Sequence, residues 1–348
     1  MAKPNTDNSG YQRLKAALRN KNVDKFYVFH GEEGYLLQNE LEKLRKLVLD
    51  ELTEAFNYHR LNSENFTLRV FEEAVDNLPM MAERTLVQVD DIDFFKMPEA
   101  DREKLTQILS DIPEYCTVVL TYVTTDWKPD KRLKKLWEPF QKYATIVEFS
   151  RQEPSDLIPW IGRHFANAGK RISNDLCRYL IDITGGTMTA LAGEIQKICA
   201  YSGAENITKS DIDAVTEPVM DAVVFDMTNL LGEGKYAAAL GKLHQLLKMQ
   251  EEPLSILGAI GGQLRRISAA RIVMDSGKRT SDLMELTGMK EYPAKKAMEA
   301  ARRFRPELCK KAAQLVMETD YRIKSSFDDP DRLLELLILQ LAQEASGG

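Results

Sequence analysis

The sequence predicts a mixed chain: a five-stranded parallel α/β domain followed by an all-helical remainder. Three observations predict it. Five short runs rich in β-branched and aromatic residues fall within the first 150 of 348 residues. Segments with helix-face apolar spacing lie between most of these runs, and strands separated by helices read as a parallel sheet with right-handed crossovers. After Glu153-Pro154 the strand-like runs stop. A chain of this length also exceeds what one hydrophobic core usually organises, so two or three domains are expected.

The expected strands are Phe26–Phe29, Phe56–Leu61, Thr85–Val89, Thr117–Val123 and Thr145–Phe149. Tyr35–Leu52 places Leu36, Leu37, Leu41, Leu44 and Leu47 at helical spacing, and Leu68–Val75 and Arg102–Leu109 read the same way. Beyond residue 153 a small helical module is expected: Ser155–Ala168, Asn174–Ile183 capped by Ser173, Met188–Tyr201, and a short helix opened by a Thr208/Asp211 capping box. Six longer helices follow: Asp221–Leu231, Lys235–Met249, Pro253–Asp275, Tyr292–Phe304, Pro306–Lys324 and Pro330–Gln343. Asp329 caps the last of these and Pro330 is its first residue. Its leucines run almost all round, as in a helix buried in a bundle or at a subunit contact. The domains expected are residues 1–150, 151–217 and 218–348.

Composition narrows the function. Apolar residues make up 44% and charged residues 29%, and the net charge is −6, so any nucleic-acid contact must come from local basic patches. Cys116, Cys177, Cys199 and Cys309 are scattered with no CxxC or Cys/His cluster, which argues for reduced thiols and against structural zinc. His30, His59, His164 and His244 have no metal-ligand or triad spacing. No apolar leader and no apolar run long enough for a membrane span is present, and a cytoplasmic protein is expected. The first ten residues and the Ser-Gly-Gly tail are expected to be mobile.

One turn has the position of a nucleotide-binding loop. A P-loop follows the first strand, wraps phosphate in backbone N–H groups, and supplies a lysine and a magnesium-binding hydroxyl. Here Phe26–Phe29 leads into Gly31-Glu32-Glu33-Gly34-Tyr35-Leu36-Leu37, with glycines but no lysine or hydroxyl. Two glutamates stand where phosphates would lie. Gly31 and Gly34 are therefore a degenerate, non-functional nucleotide site, or simply a tight strand-to-helix turn. Asp90-Asp91 after the third strand has the look of a magnesium-binding acidic pair, but two solvated acids at a strand end are the expected reading. No catalytic residue, metal or cofactor is expected.

The order of parts resembles that of the AAA+ ATPases that load sliding clamps: an AAA+-like α/β domain, a small helical lid domain and a C-terminal helical collar. Phe26–Glu33 resembles the opening strand of the delta subunit of the bacterial DNA polymerase III clamp loader, a family with a non-functional P-loop. Leu78-Pro79-Met80-Met81-Ala82-Glu83-Arg84-Thr85-Leu86-Val87-Gln88-Val89 resembles its second signature, Lys128–Leu136 its basic segment, and Pro253–Arg266 the start of its collar. The resemblance implies a DNA replication subunit that opens the sliding clamp (beta) by inserting two apolar side chains. Those positions correspond to Met80 and Met81, preceded by Leu78; methionine departs mildly from the family's Leu or Phe but suits an irregular pocket. The alternative for Met80 and Met81 is packing under their own domain. The resemblance further implies a hetero-pentamer with gamma/tau and delta-prime-type subunits, within a DNA-directed DNA polymerase (nucleotidyltransferase) holoenzyme, in the bacterial cytoplasm near the nucleoid. Two other functions stay open: an atypical nucleotide-binding AAA+ ATPase, and a structural scaffold of a DNA repair complex.

Lys131, Arg132 and Lys134 lie in the densest basic run, and Arg302 and Arg303 in a second. Both could touch primer–template DNA or an acidic partner, or be solvated helix faces. Gly258, Gly261 and Gly262 fall on a helix and suggest close helix packing. Trp127 and Trp137 could stack on bases, but core packing or surface anchoring is the expected use.

Overall fold

The computed structural model describes residues 9–346, and the chain divides after Gln152 into two compact units. The first is a parallel sheet covered on both faces. Its strands are β1 (Phe26–His30), β2 (Tyr58–Leu61), β3 (Thr85–Asp90), β4 (Cys116–Tyr122) and β5 (Thr145–Glu148), in the order β2-β3-β4-β1-β5. Every pairing is parallel, with Tyr27 opposite Val119 and Thr145, and Leu86 opposite Tyr58 and Thr117. Its helices are α1 (Ser9–Asn20), α2 (Gly34–Val48), α3 (Glu54–Asn57), α4 (Leu68–Asp76), α5 (Glu99–Ser110) and α6 (Lys134–Tyr143). Alternate strand residues face opposite layers. Phe26 and Val28 pack with Phe71, Leu105 and Phe140 of α4, α5 and α6, while Tyr27 and Phe29 pack with Leu14 and Leu41 of α1 and α2. Trp127 and Trp137 sit 6.2 Å apart against the first of these clusters, so both serve packing.

Three local expectations are corrected. Residues 1–8 lie outside the described part of the chain, but Ser9 and Gly10 open α1 instead of trailing free. Gly10 is there because a Cβ would lie 1.8 Å from the Ile146 carbonyl oxygen, so α1 can seat on β5 only through glycine. The second helix stops at Val48, because Asp50 folds the chain into a turn by accepting the Leu52 N–H at 2.9 Å. Phe56 and Asn57, expected in the second strand, instead complete the short helix α3, and β2 begins at Tyr58.

The second unit is helical: α7 (Pro154–Asn167), α8 (Asn174–Thr184), α9 (Met188–Tyr201), α10 (Lys209–Val215), α11 (Met220–Gly232), α12 (Tyr236–Lys248), α13 (Pro253–Asp275), α14 (Thr280–Thr287), α15 (Glu291–Ala301), α16 (Pro306–Ser325) and α17 (Pro330–Ser346). Cap chemistry marks several starts: Ser173 Oγ accepts from Leu176 N, Thr208 and Asp211 form a reciprocal box, and Asp329 Oδ1 accepts from Asp331 N at 3.0 Å. The short α14 was not anticipated. Asp182 of α8 binds Tyr292 Oη and, at 2.9 Å, Lys296 Nζ of α15, which ties the early helices to the later ones within this unit. Of the three helix glycines, only Gly261 is needed for close approach, since its Cβ would meet Val316 Cγ1 at 3.0 Å; Gly258 has open space around it. In α17 one face is buried through Leu334, Leu337, Ile338 and Leu341, but Leu336 and Leu339 are exposed. Residues 347–348 of the tail lie outside the described part.

Candidate functional site

The glycine turn is closed by the chain itself. A P-loop places four residues between its glycines, but only two separate Gly31 from Gly34, and α2 starts at Gly34 at once. The turn is thus too short to wrap phosphate as well as lacking the cation. Gly31 has φ +128°, and a Cβ there would lie 2.5 Å from the Phe149 carbonyl oxygen. That carbonyl accepts the Glu33 N–H at 2.9 Å, and the Phe149 N–H donates to the His30 carbonyl at 2.7 Å. A donor that could face a phosphate is used to hold β5, and Glu33 is itself 1% exposed. A hollow of about 290 Å³ remains beside the turn, rimmed by His30, Thr124, Trp127 and Lys128. The Lys128 ammonium is paired with Asp126 at 2.6 Å.

The acidic pair is structural, which corrects the expectation of two solvated carboxylates. Asp90 binds Arg60 Nε at 2.6 Å and accepts from Gln88 Nε2 and Thr121 Oγ1. Asp91, at φ +56°, accepts the N–H groups of Val123, Thr124 and Thr125 at 2.9–3.1 Å and both threonine hydroxyls. Partial burial pushes the Asp91 carboxyl upward, but these hydrogen bonds outweigh it and hold the carboxyl below the usual aspartate range. The pair fastens the loop after β4. Among the described residues no group of three or more His, Cys, Asp or Glu side chains could hold a metal ion.

The opposite edge of the sheet is different. The segment between α4 and β3, residues 77–84, reaches the N-terminal end of β3 as irregular chain. Leu78 is 74% exposed, Met80 54% and Met81 91%, so the methionines do not pack under their own domain. The chain beneath them is fixed. Tyr115 Oη donates to the Asp76 carbonyl at 3.0 Å, where the segment begins. Arg84, where it ends, donates to the Glu114 carbonyl at 2.9 Å and reaches the Val23 carbonyl and Thr117 hydroxyl at 3.4 Å. Between them the fully buried Asn57 grips Met80 on both sides: its Oδ1 accepts the Met80 N–H at 2.7 Å and its Nδ2 donates to the Met80 carbonyl at 2.9 Å. Met81 then adopts φ +54°, a left-handed conformation uncommon for a side chain of this size.

Two more large apolar residues are exposed on the segment that carries Asn57: Leu52 at 88% and Phe56 at 60%. Sequence reasoning missed them because Leu52 fell at the end of an overlong helix and Phe56 in a strand. An apolar residue in a run of Asp, Glu and Thr just after a helix stop was the available signal.

The basic candidates are spread and partly neutralised. Arg132 forms a two-pronged pair with Asp130 at 2.8 and 2.9 Å and holds that carboxyl at about 2. Lys131 lies over the Trp137 ring at 5.4 Å, while Lys134 is exposed at the start of α6. Arg303 pairs with Glu233 at 3.2 Å, and its neighbour Arg302 is exposed.

Comparison with known proteins fixes the family. Residues 27–150 match the family model "DNA polymerase III, delta subunit", and residues 221–341 match "DNA polymerase III delta subunit, C-terminal domain". The chain belongs to the DNA polymerase III delta subunit family. It is 27% identical over 331 residues to the DNA polymerase III subunit delta of Bacillus subtilis (strain 168), covering 93% of this chain and 95% of that one. It is 24% identical over 275 residues to the probable DNA polymerase III subunit delta of Aquifex aeolicus (strain VF5), covering 77% and 76%. In structure it resembles the Bacillus subtilis DNA clamp loader delta protein (YqeN), with a TM-score of 0.59 and 25% identity over 95% of this chain and 99% of that one. The first family match spans the glycine turn and the 77–84 segment of this delta-family chain. No helix among its described residues is long and apolar enough to cross a membrane.

Proposed function

We propose that this delta-family chain binds and opens a bacterial sliding clamp during DNA replication, using Leu78, Met80 and Met81 as its contact. The observation that carries this reading is the exposure of Met80 and Met81 on a segment whose backbone is held at three points. Exposed apolar side chains on mobile chain would lose entropy on docking; held in place they lose less. Burying a methionine in a partner pocket contributes about 1.5–3 kcal/mol, the scale of an interface hot spot. Opening the ring is then a population shift: the subunit binds the sprung interface better than the closed one.

The chain works without its own nucleotide chemistry, because the sealed glycine turn offers neither cation nor free wrap for phosphate. Motion driven by ATP enters from neighbouring gamma/tau and delta-prime-type subunits in a pentameric loader joined through the C-terminal helices. Leu336 and Leu339 on α17 are surface that such a joint would cover. Primer–template DNA is a weaker expectation, since Arg132 and Arg303 already have acidic partners. The test is a pull-down on an immobilised bacterial sliding clamp, comparing wild type with Met80→Ser/Met81→Ser. Retention of wild type and loss of the double variant support the contact; equal retention refutes it.

A further inference from the structure

We propose that Asn57 is a positioning residue for clamp binding: it does not touch the partner, but fixes the Met80–Met81 tip in its docking conformation. The inference rests on the clamp-contact reading and adds a residue outside the segment that makes the contact. Asn57 is fully buried, and every polar contact of its amide is spent on local backbone. Nδ2 donates to the Thr53 carbonyl at 2.9 Å, four residues back, and to the Met80 carbonyl at 2.9 Å; Oδ1 accepts the Met80 N–H at 2.7 Å.

The side chain therefore behaves as a short piece of strand, offering Met80 a donor and an acceptor side by side. Few other residues can do so. Aspartate loses the donor, leucine of similar size loses both, and glutamine is one methylene too long for a fully packed position. The neighbouring residue shows what the grip achieves. Met81 holds φ +54° with its side chain almost wholly in solvent, so no packing of its own side chain stabilises that conformation. A left-handed non-glycine residue persists where the surrounding chain over-determines it. Here the nearest fixed point is Met80, one residue away and bonded on both sides. Without Asn57 the tip samples other conformations, and the clamp must bind the fraction that remains competent, with a proportional loss of affinity.

The experiment is a double-mutant cycle on the full chain, with affinity for a purified bacterial sliding clamp measured by surface plasmon resonance. The four proteins are wild type, Asn57→Ala, Met81→Ala and the double variant. Asn57→Ala is expected to weaken binding about tenfold in the wild-type background. With Met81 already truncated, the same change is expected to cost less than about threefold, because the more exposed of the two side chains it positions is gone. An equal factor in both backgrounds, or none in the wild type, overturns the proposal. If Met81→Ala alone leaves affinity unchanged, the clamp-contact reading fails, whatever Asn57 does. Amide hydrogen exchange on the wild-type chain is a second readout that needs no variant to fold. The Met80 amide is expected to exchange at least about tenfold more slowly than an unstructured amide; exchange at the unstructured rate overturns the grip itself.

Discussion

Replacing Met80 and Met81 by serine is expected to weaken clamp binding severely and leave the fold unchanged. Met81 is 91% and Met80 54% exposed in the free chain, so docking can still remove most of one side chain and half of the other from water. Scaling about 1.5–3 kcal/mol for a fully buried methionine by those fractions gives about 2–4 kcal/mol for the pair. At about 1.4 kcal/mol per decade that is a loss of roughly 30- to 700-fold in affinity. Serine adds a hydroxyl that an apolar pocket leaves unpaired, so the true loss sits toward the upper end. Folding should be indifferent, since exposed substitutions usually change stability by less than about 0.5 kcal/mol, or about 2 °C in a domain of this size. The assay pairs surface plasmon resonance on immobilised clamp with thermal unfolding of the free chain. Two results refute the reasoning: unchanged affinity, which removes the segment from the interface, or a melting drop of many degrees, which makes the methionines structural.

Phe56→Ser tests whether the contact extends to α3. Phe56 is 60% exposed on the segment that holds Met80, and its loss should weaken clamp binding about 3- to 30-fold with little change in melting; unchanged affinity confines the contact to residues 78–81. Asp91→Ala leaves three backbone N–H groups without their acceptor and should cost about 1–3 kcal/mol in thermal unfolding. Because the folded Asp91 carboxyl titrates below the ordinary value of 3.8, its contribution is fully present above that pH and disappears as pH falls through the folded value. Wild type should therefore approach the stability of the variant in strong acid, and parallel acid curves would contradict this role. Gly31→Ala forces a Cβ to 2.5 Å from a carbonyl oxygen at φ +128°, and should destabilise the first unit by at least about 2 kcal/mol. Calorimetric titration of the wild type with Mg·ATP should show no binding in the micromolar range; micromolar affinity would reopen the nucleotide-binding alternative.

The fold was legible where periodicity and caps are local. Val28, Val87 and Val118 sit in largely apolar runs, as the strands of a doubly covered parallel sheet do, and Ser173, Thr208 and Asp329 mark helix starts within a residue. It was illegible where a distant partner decides. Nothing local says that Gly10 must lie against the Ile146 carbonyl, or that Phe56-Asn57 turn helical instead of extending β2. The apolar pair after Leu78-Pro79 was readable as a candidate, because two methionines at a helix-to-strand junction are hard to bury inside their own domain. Asn57 was not, since its role exists only once the chain brings residue 80 back against it, 23 positions away. The acidic pair was misread for the same reason: Asp91 takes its partners from the end of β4, more than 30 residues on.

The polarity of the sheet joins these observations. Open parallel sheets bind ligands at the carboxyl ends of their strands, where loops and helix N-termini converge. In this chain the polar groups at that end are engaged from within, although a hollow remains beside the glycine turn: the Phe149 carbonyl takes the Glu33 N–H, Asp91 gathers the turn after β4, and Arg60 pairs with Asp90. The amino-terminal edge has the reverse character, with apolar side chains in solvent on backbone hydrogen-bonded by the buried Asn57 amide. Here one end has its polar groups engaged by the chain itself, while the other presents apolar side chains to solvent on hydrogen-bonded backbone.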